Sequence, residues 1–578
     1  MANPILFQKR GWYGNPQQSM TTVMNTQTYA SNNRSTLILL ALILLLTAML
    51  FYKGITPSFS SDDYVHLTKN IHFKDIKEAM GVFARLDGRE YRPIVRLSLW
   101  MNYKLGSDAL NFHITNVLIH LGCVLTIFYI LGHLLPSKRV ALFPTLIFAI
   151  HPIHTTNVNF VMGRTGMLCA LFYFLCILTF LSFMKHRSQT RYLLSLLFFM
   201  LGLLTKEEAV SLPLLLFAIS MFDAKGTVKA RGIKSARNTA LFFGIDGIYV
   251  LFRLIQQHLS PQNIAGYTDF TIKGVIDNYI KWLFGLVYPL DLYQARWIVE
   301  TAQRPVIIMG VIILLFFLGV TGYVLWPSRK SILKDKLIWI AVLWFIVPLL
   351  PIMGGNAHRW YLYISSFSLS LMVVALWQLA VGQTRRRVLC VLIAGFLICC
   401  AAEVYRQADI WAEQSRISEN FLEQVAQLDI PNMDSAYFAN VPFGYKSAFL
   451  FTFESLEDAL SLKFGKRPDL KIITHVNLND DLRITVNETP DRINFSMASD
   501  PFAYFIFPNL QRRFESPKTS IDYQECRISL KSLSSANLVD AYQLDYPPNV
   551  RSNLFYFDGK SIIKVGEETK GLMLSLLY

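Results

Sequence analysis

Apolar residues along this chain gather into long runs broken by short polar stretches. Runs at 36–53, 112–134, 140–154, 166–184, 191–204, 208–222, 238–257, 304–326, 337–352, 360–381 and 387–404 approach the roughly 17–25 residues that a helix needs to cross a bilayer. The pattern predicts an all-α polytopic membrane domain of about 11 transmembrane helices. One further stretch, 277–290, is short and aromatic and carries Lys281. It is expected to be interfacial or re-entrant, with a true crossing as the alternative. After about residue 405 the pattern changes. "DLKIITHV", "LRITVNET", "INFSMAS", "AYFIFP" and "CRISLKSL" read as strands, "NLFYFDGKSIIKV" as a hairpin around Asp558-Gly559 and "SLEDALSLKFG" as a helix. These predict a small α+β domain, reached through "YRQADIWAEQSRISENFLEQVAQL", a helix leaving the bilayer with Trp411 near the headgroups.

The polar stretches set the orientation. "SKR", "KHRSQTR", "DAKGTVKARGIKSAR", "PSRKSILKDK" and "TRRR" alternate with loops that hold few basic residues, which places the basic loops in the cytoplasm. The expected division is a cytoplasmic segment 1–35, a membrane domain 36–404 and an extracytoplasmic α+β domain 405–578. The first run follows some 35 polar residues and lacks a small-residue cleavage site, so it is expected to be a retained signal anchor. Composition agrees: 53% of the 578 residues are hydrophobic, 16% are charged, and mean hydropathy is +0.35. The net charge of +15 lies in the topogenic clusters, so the bilayer and not nucleic acid is the expected partner. The seven cysteines show neither a disulfide framework nor finger spacing.

The unusual polar residues fall in the loops expected on the non-cytoplasmic side. The first, 54–111, holds Asp62, Asp63 and His66 in "SSDDYVHLTKN", then Arg92 and Arg96 one helical turn apart in "REYRPIVRLSLWMNYKLG". The second, "IHPIHTTNVNFVMGRTG", holds His151, His154 and Arg164; the third, "LLTKEEAVSLP", holds Lys206, Glu207 and Glu208; the fifth, "IMGGNAHRWYLYISS", holds Arg359. Each has an ordinary explanation. Paired acids are usually solvated, arginines flanking spans snorkel to headgroups, and the "HPIH" histidines more often cap helices or bond a neighbouring span than bind metal. Their recurrence in successive loops of one face suits a different chemistry. A sugar on a polyprenyl phosphate leaves from a phosphate oxygen, so attack by a hydroxyl needs a carboxylate base and departure needs cations. Asp62 or Asp63 is the candidate base, with no core contact expected for either. Arg92, Arg164, Lys206 and Arg359 are candidates for the donor phosphate, and His151, His154, Glu207 and Glu208 are further site candidates.

The stretches "SSDDYVHLTKNIHFKD", "YRPIVRLSLWMNYKLG…NFHITNVLIHL", "FAIHPIHTTNVNFVMGRTGMLCALF", "LLTKEEAVSLPLLLF", "DNYIKWLFGLVYPLDL" and "RWYLYISSFSLS", in this order, resemble the GT-C superfamily of membrane glycosyltransferases, in particular protein O-mannosyltransferases that carry TPR repeats and their bacterial relatives. The resemblance implies inverting transfer of one sugar from a polyprenyl-phosphate donor to an exported protein or glycan acceptor, with Asp62 and Asp63 matching the family's acid pair. Three departures stand out. Thr156 and Gly166 replace acids of the second loop, so no divalent metal is expected to be required. Arg359 sits one position early. The tail is not a run of TPR repeats, which favours a bacterial inner membrane as the location. The alternatives are transfer to a lipid or cell-surface polysaccharide, a transporter or flippase, and a non-catalytic assembly subunit; sugar transfer lost on changing the acid pair separates the enzyme from the last two.

Overall fold

The structure, a computed structural model, describes residues 26–70, 72–84, 90–259, 270–288, 319–428, 430, 435–452, 455–465, 467–479, 484–497, 503–507, 520–533 and 538–566. Most of the expected crossing 304–326 lies outside them. Five described helices are long and apolar enough to cross a membrane: Arg34–Gly54, Ala109–Leu134, Val161–His186, Val228–His258 and Gln383–Ala426. Two bent pairs raise this to as many as seven, Gly319–Ile332 with Lys336–Ile352 at 100° and Arg359–Ser365 with Phe367–Leu379 at 49°. The expected eleven are not reached among the described residues because several runs are broken. The run at 140–154 gives a helix of only 12 residues, Lys138–Ala149, with Pro144 inside it. The run at 208–222 begins as a 3-10 turn and leaves the 12-residue helix Leu212–Asp223.

Leu37, Ile38, Leu42, Leu45 and Met49 on the first span, and Leu241, Ile248, Leu251 and Leu254 on Val228–Leu259, point outward. Such a belt is disfavoured against water and suits lipid. Inside the bundle aromatic rings interlock, with Trp344 edge-on to Phe367 at 4.8 Å and Phe174 beside both. The stretch 277–290 forms the helix Ile272–Val287. Its Trp282 is buried, and its Asn278 side chain donates to the Met353 and Gly355 carbonyls.

Residue 405 is not a break. The 44-residue helix Gln383–Ala426 runs through it and, at about 1.5 Å per residue, is roughly 66 Å long, twice the hydrocarbon thickness. Beyond it, among the described residues, thirteen strands and the helix Ser455–Phe464 form a β-rich region. In one sheet β1 (Ala436–Ala439) lies parallel to β4 (Leu470–Ile472) and β12 (Leu554–Phe557), and β12 pairs antiparallel with β13 (Ile562–Lys564). The expected turn joins that last pair: the Asp558 carboxylate accepts from the Lys560 and Ser561 N–H groups, and Gly559 takes φ +102°. The second sheet has nine strands, with β2 (Val441–Tyr445) parallel to β5 (His475–Leu478). "DLKIITHV" thus divides between two sheets. One apolar core joins this region to the first loop: Phe59, Tyr64, Leu67, Val95, Leu99 and Phe112 pack in the same cluster as Phe421, Phe438, Phe451 and Phe555.

Orientation is directly testable. Lys229 and Lys560 are both exposed and fall on opposite sides if the basic loops are cytoplasmic. In sealed, right-side-out vesicles a membrane-impermeant maleimide is expected to label Lys560→Cys and to spare Lys229→Cys until detergent is added.

Candidate functional site

Asp62 and Asp63 open the helix Asp62–Asn70, where the helix dipole favours negative charge. Successive residues of a helix point about 100° apart, and the two acids go separate ways. The Asp63 side chain turns inward, fully buried, and its carboxylate accepts from the Ser60 N–H at 3.1 Å and from the Met162 N–H at 2.8 Å. It therefore ties the first loop to the second. Burial raises its carboxyl well above the ordinary range, against those backbone donors. The expectation that the pair makes no core contact fails here, because an inward acid at a loop junction is stabilised by loop N–H groups that sequence does not reveal. Asp62 remains exposed, with His66 one turn below it on the same face. Burial of its surroundings raises the Asp62 carboxyl, and His66 pulls it back.

Arg92 stands just before Pro93, at the start of the helix Pro93–Leu105. Its guanidinium grips Glu207 at 2.8 Å and 3.4 Å and pairs with Glu90 at 2.8 Å. This fork joins the first loop to the third, and the backbone bond from Ile94 N–H to the Leu204 carbonyl reinforces it. Burial works to raise the Glu207 carboxyl, but Arg92 outweighs it and holds it at about 2. Of the five N–H donors of a guanidinium, the ones engaged by Glu90 and Glu207 leave capacity on both terminal nitrogens. Lys206 is buried against Glu208 at 2.7 Å, with its ammonium 4.8 Å from the centre of the Tyr361 ring in the fifth loop. Tyr361 belongs to the 3-10 turn Arg359–Tyr361, in which Arg359 is half-buried. The second loop meets this turn as well, the Asn157 amide donating to the Trp360 carbonyl at 3.2 Å. Four loops thus converge on one mouth of the bundle.

Three predicted residues do not face that mouth. Arg164 is fully buried beneath it, donating to Asn116 Oδ1 at 2.9 Å, Asn102 Oδ1 at 2.6 Å and the Phe112 carbonyl at 3.0 Å. Its guanidinium is spent on joining the first loop to the second and presents no surface to a phosphate. His151 caps the turn Pro152–His154: Nδ1 accepts from the Ile153 N–H and Nε2 donates to the Leu286 carbonyl. His154 donates from Nε2 to Ser366 Oγ, whose own proton goes to the Tyr363 carbonyl. Capping and bonding to a neighbouring segment are the roles these rings play. Among the described residues no three His, Cys, Asp or Glu side chains are grouped as metal ligands.

Of the two departures in the second loop, Gly166 has a local explanation. A Cβ on Gly166 lies 2.9 Å from the Asn157 amide and 3.9 Å from Lys206 Nζ, so the position is filled by neighbours that an acidic side chain displaces. A Cβ on Gly163 lies 2.3 Å from the Asn157 carbonyl oxygen, backbone that cannot step aside. Sequence inspection missed Glu90 as a member of the cluster and gave His66 no role in it. The signals were present: His66 is four residues after Asp62, and Glu90 two before Arg92.

The family model for dolichyl-phosphate-mannose-protein mannosyltransferase matches residues 92–245. The protein O-mannosyl-transferase TMTC4 of Mus musculus is 26% identical over 221 residues, 34% of this chain and 28% of that protein. The protein O-mannosyl-transferase Tmtc1 of Drosophila melanogaster is 32% identical over 126 residues, 22% of this chain and 15% of that protein. The chain thus spans less than a third of the length of either relative. Among solved structures, the archaeal oligosaccharyltransferase AglB from Archaeoglobus fulgidus, in complex with an inhibitory peptide and a dolichol-phosphate, aligns with a TM-score of 0.41 at 12% identity over 76% of this chain and 65% of that one. That likeness is too distant to carry an argument. The sequence matches support the resemblance to GT-C glycosyltransferases of the protein O-mannosyltransferase type.

The buried scaffold makes its own prediction. Arg164→Met strands two asparagine oxygens and a carbonyl, and Asp63→Asn turns an amide NH2 toward one of the two N–H donors. At about 1–3 kcal/mol per unsatisfied buried group, each variant is expected to unfold several degrees earlier in detergent. Arg164→Lys is not expected to restore stability, since an ammonium cannot reproduce the fork. Thermal unfolding of the purified variants checks this, and wild-type midpoints in all three remove the scaffold role.

Proposed function

We propose that the protein is a membrane glycosyltransferase that moves a single sugar, with inversion, from a polyprenyl-phosphate donor to an exported acceptor, and that the reaction is protein O-glycosylation. The observation that supports this most is the convergence of four loops: solvent-reaching Asp62 lies in the field of Glu90, the partner of Arg92, and Arg92, Glu207, Lys206 and Tyr361 link the first, third and fifth loops.

In this proposal the acceptor hydroxyl approaches Asp62, which takes its proton as the hydroxyl oxygen bonds to the anomeric carbon. The bond from that carbon to the phosphate oxygen breaks on the opposite face, and its electron pair stays on the polyprenyl phosphate. The open donors of Arg92 receive the phosphate, with Lys206 and Arg359 supplying further positive field. Glu207 and Glu90 hold the Arg92 fork in place between turnovers. Asp63 and Arg164 keep the loops in register.

Two measurements test the proposal with dolichyl-phosphate mannose as donor probe and a Ser/Thr-rich peptide as acceptor. Asp62→Asn is expected to lower turnover on the order of 100-fold, the scale of general-base catalysis, with the thermal midpoint unchanged. Because burial raises the Asp62 carboxyl above its ordinary 3.8, and a base works only when ionised, activity is expected to fall as pH drops through that raised value. The acid limb of the pH–rate profile should therefore lie above 3.8 and disappear in Asp62→Asn. Full turnover by that variant rules out Asp62 as the base.

The phosphate contact is tested separately. Transfer is expected to persist in EDTA, and Arg92→Ala to raise the donor KM or lower kcat by about tenfold or more, the scale of one charge-assisted contact. Arg92→Lys should recover little, because the fork to Glu207 is lost. Activity abolished by chelation and restored by manganese replaces this scheme with one in which Glu207 and Asp62 are candidate metal ligands.

A further inference from the structure

The first loop enters the helix Asp62–Asn70 through Ser61, whose φ is +44°. A non-glycine residue in the left-handed region is strained and persists only where its surroundings impose it. Here the surroundings belong to the C-terminal region. The Ser61 N–H donates to the Leu450 carbonyl at 2.7 Å, and the Ser60 hydroxyl donates to the Phe449 carbonyl at 2.7 Å. The Tyr64 ring stacks on Phe451 with centroids 6.2 Å apart, and the Ser61 and Thr452 hydroxyls are hydrogen-bonded to each other. Four consecutive residues, 449–452, therefore grip the segment 60–64. Phe449 also meets Phe160 of the second loop and Trp360 of the fifth, so the same short stretch touches three of the four loops at the mouth.

Ser61 Oγ donates to Asp62 Oδ1 at 3.5 Å. The Thr452 hydroxyl, bonded to Ser61 Oγ, also reaches the Asp62 carboxylate. Ser61 and Thr452 thus form a hydroxyl pair beside the Asp62 carboxylate, and both hydroxyls act on it. Ser61 and Thr452 are both buried, while Asp62 itself reaches solvent. The hydroxyl pair is thus fixed inside the protein and the acid stands at its open side.

We propose that the C-terminal region completes the candidate site: Thr452, together with Ser61, is a positioning residue that aims the Asp62 carboxylate. This rests on the proposed role of Asp62 as base. The charged groups around Asp62 are His66 on its own helix, Asp63 beside it and Glu90 from the segment before Pro93. Burial and Glu90 work against the carboxylate, while His66, Ser61 and Thr452 work for it. Removing the Thr452 hydroxyl takes away one of the three favourable influences and leaves both unfavourable ones.

The test compares Thr452→Val, which keeps shape without the hydroxyl, with Thr452→Ser, which keeps the hydroxyl, in the purified full-length protein. The first readout needs no turnover: coupling of glycine ethyl ester to Asp62 by a water-soluble carbodiimide, followed by mass spectrometry across pH. The midpoint for Asp62 is expected to move up by about half a unit to one unit in Thr452→Val and to return in Thr452→Ser. The second readout is mannosyl transfer from dolichyl-phosphate mannose, where the acid limb should move by the same amount and kcat fall about 5–10-fold with the donor KM unchanged. If Thr452→Val accumulates poorly, Ser61→Ala removes the other hydroxyl of the pair and carries the same expected shift. An unmoved Asp62 midpoint overturns the proposal, including the case in which activity falls, since that marks a merely structural contact. A midpoint that moves in a protein inactive with this donor supports the positioning role and tells instead against the proposed reaction.

Discussion

The arrangement of the mouth depends on one buried carboxylate. Asp63 is enclosed by protein and met by the N–H groups of Ser60 and Met162, so the first and second loops cannot separate without stranding an acid away from water. The cost of an unpaired buried charge is several kcal/mol, more than most single contacts in a protein provide. Arg164 works beside it: its guanidinium bonds Asn102, Asn116 and the Phe112 carbonyl, and its charge lies within the field of Asp63. With these two groups in place, Asp62 has only one direction left, toward solvent.

Charge pairing governs the layer above. Each cation whose partner is on view at the mouth arrives with a carboxylate, Arg92 with Glu90 and Glu207, Lys206 with Glu208. The mouth therefore does not stand as a bare positive cup, which is costly to hold together at the edge of a low-dielectric membrane. The pairing is also geometric. A bidentate guanidinium fixes the angle at which the first loop meets the third, and breaking the buried Lys206–Glu208 pair by removing either partner leaves its counterpart uncompensated. Glutamates that look like catalytic candidates in a sequence thus act as holders of the cations.

The β-rich region is built into this arrangement rather than hung from it. It shares a hydrophobic core with the first loop, and the helix Gln383–Ala426 passes from the bundle into it without interruption. Ser58 of the first loop bonds Ser415 on that helix at 2.7 Å, and the Trp411 ring is stacked on Phe160. Trp411, expected among headgroups, is buried instead, because its face of the helix turns to the second loop. A continuous helix transmits position with little loss, so the strands and the loops at the mouth keep a fixed relation.

Hydrophobic run length and the change to period two beyond the long helix were enough to separate bundle from strands, because burial against lipid or against a sheet imposes its period on the sequence directly. The stretches 484–489, 492–497 and 526–533 are strands as their alternation indicates, and the Asp558-Gly559 turn is where its residues demand. The polar residues of the loops were visible for the same reason: charge beside a membrane stands out. Their division of labour was not. Asp62 and Asp63 are neighbours of identical chemistry, and only the fold, through the N–H groups of Met162 and Ser60 and the hydroxyls of Ser61 and Thr452, makes one a buried staple and the other an open acid. Arg164 and Arg92 are likewise equal as letters, yet one meets asparagine oxygens in the interior and the other two glutamates at the mouth. A sequence records which groups must be satisfied, but which partner satisfies each is set by contacts between residues tens to hundreds of positions apart, and those exist only once the loops have closed.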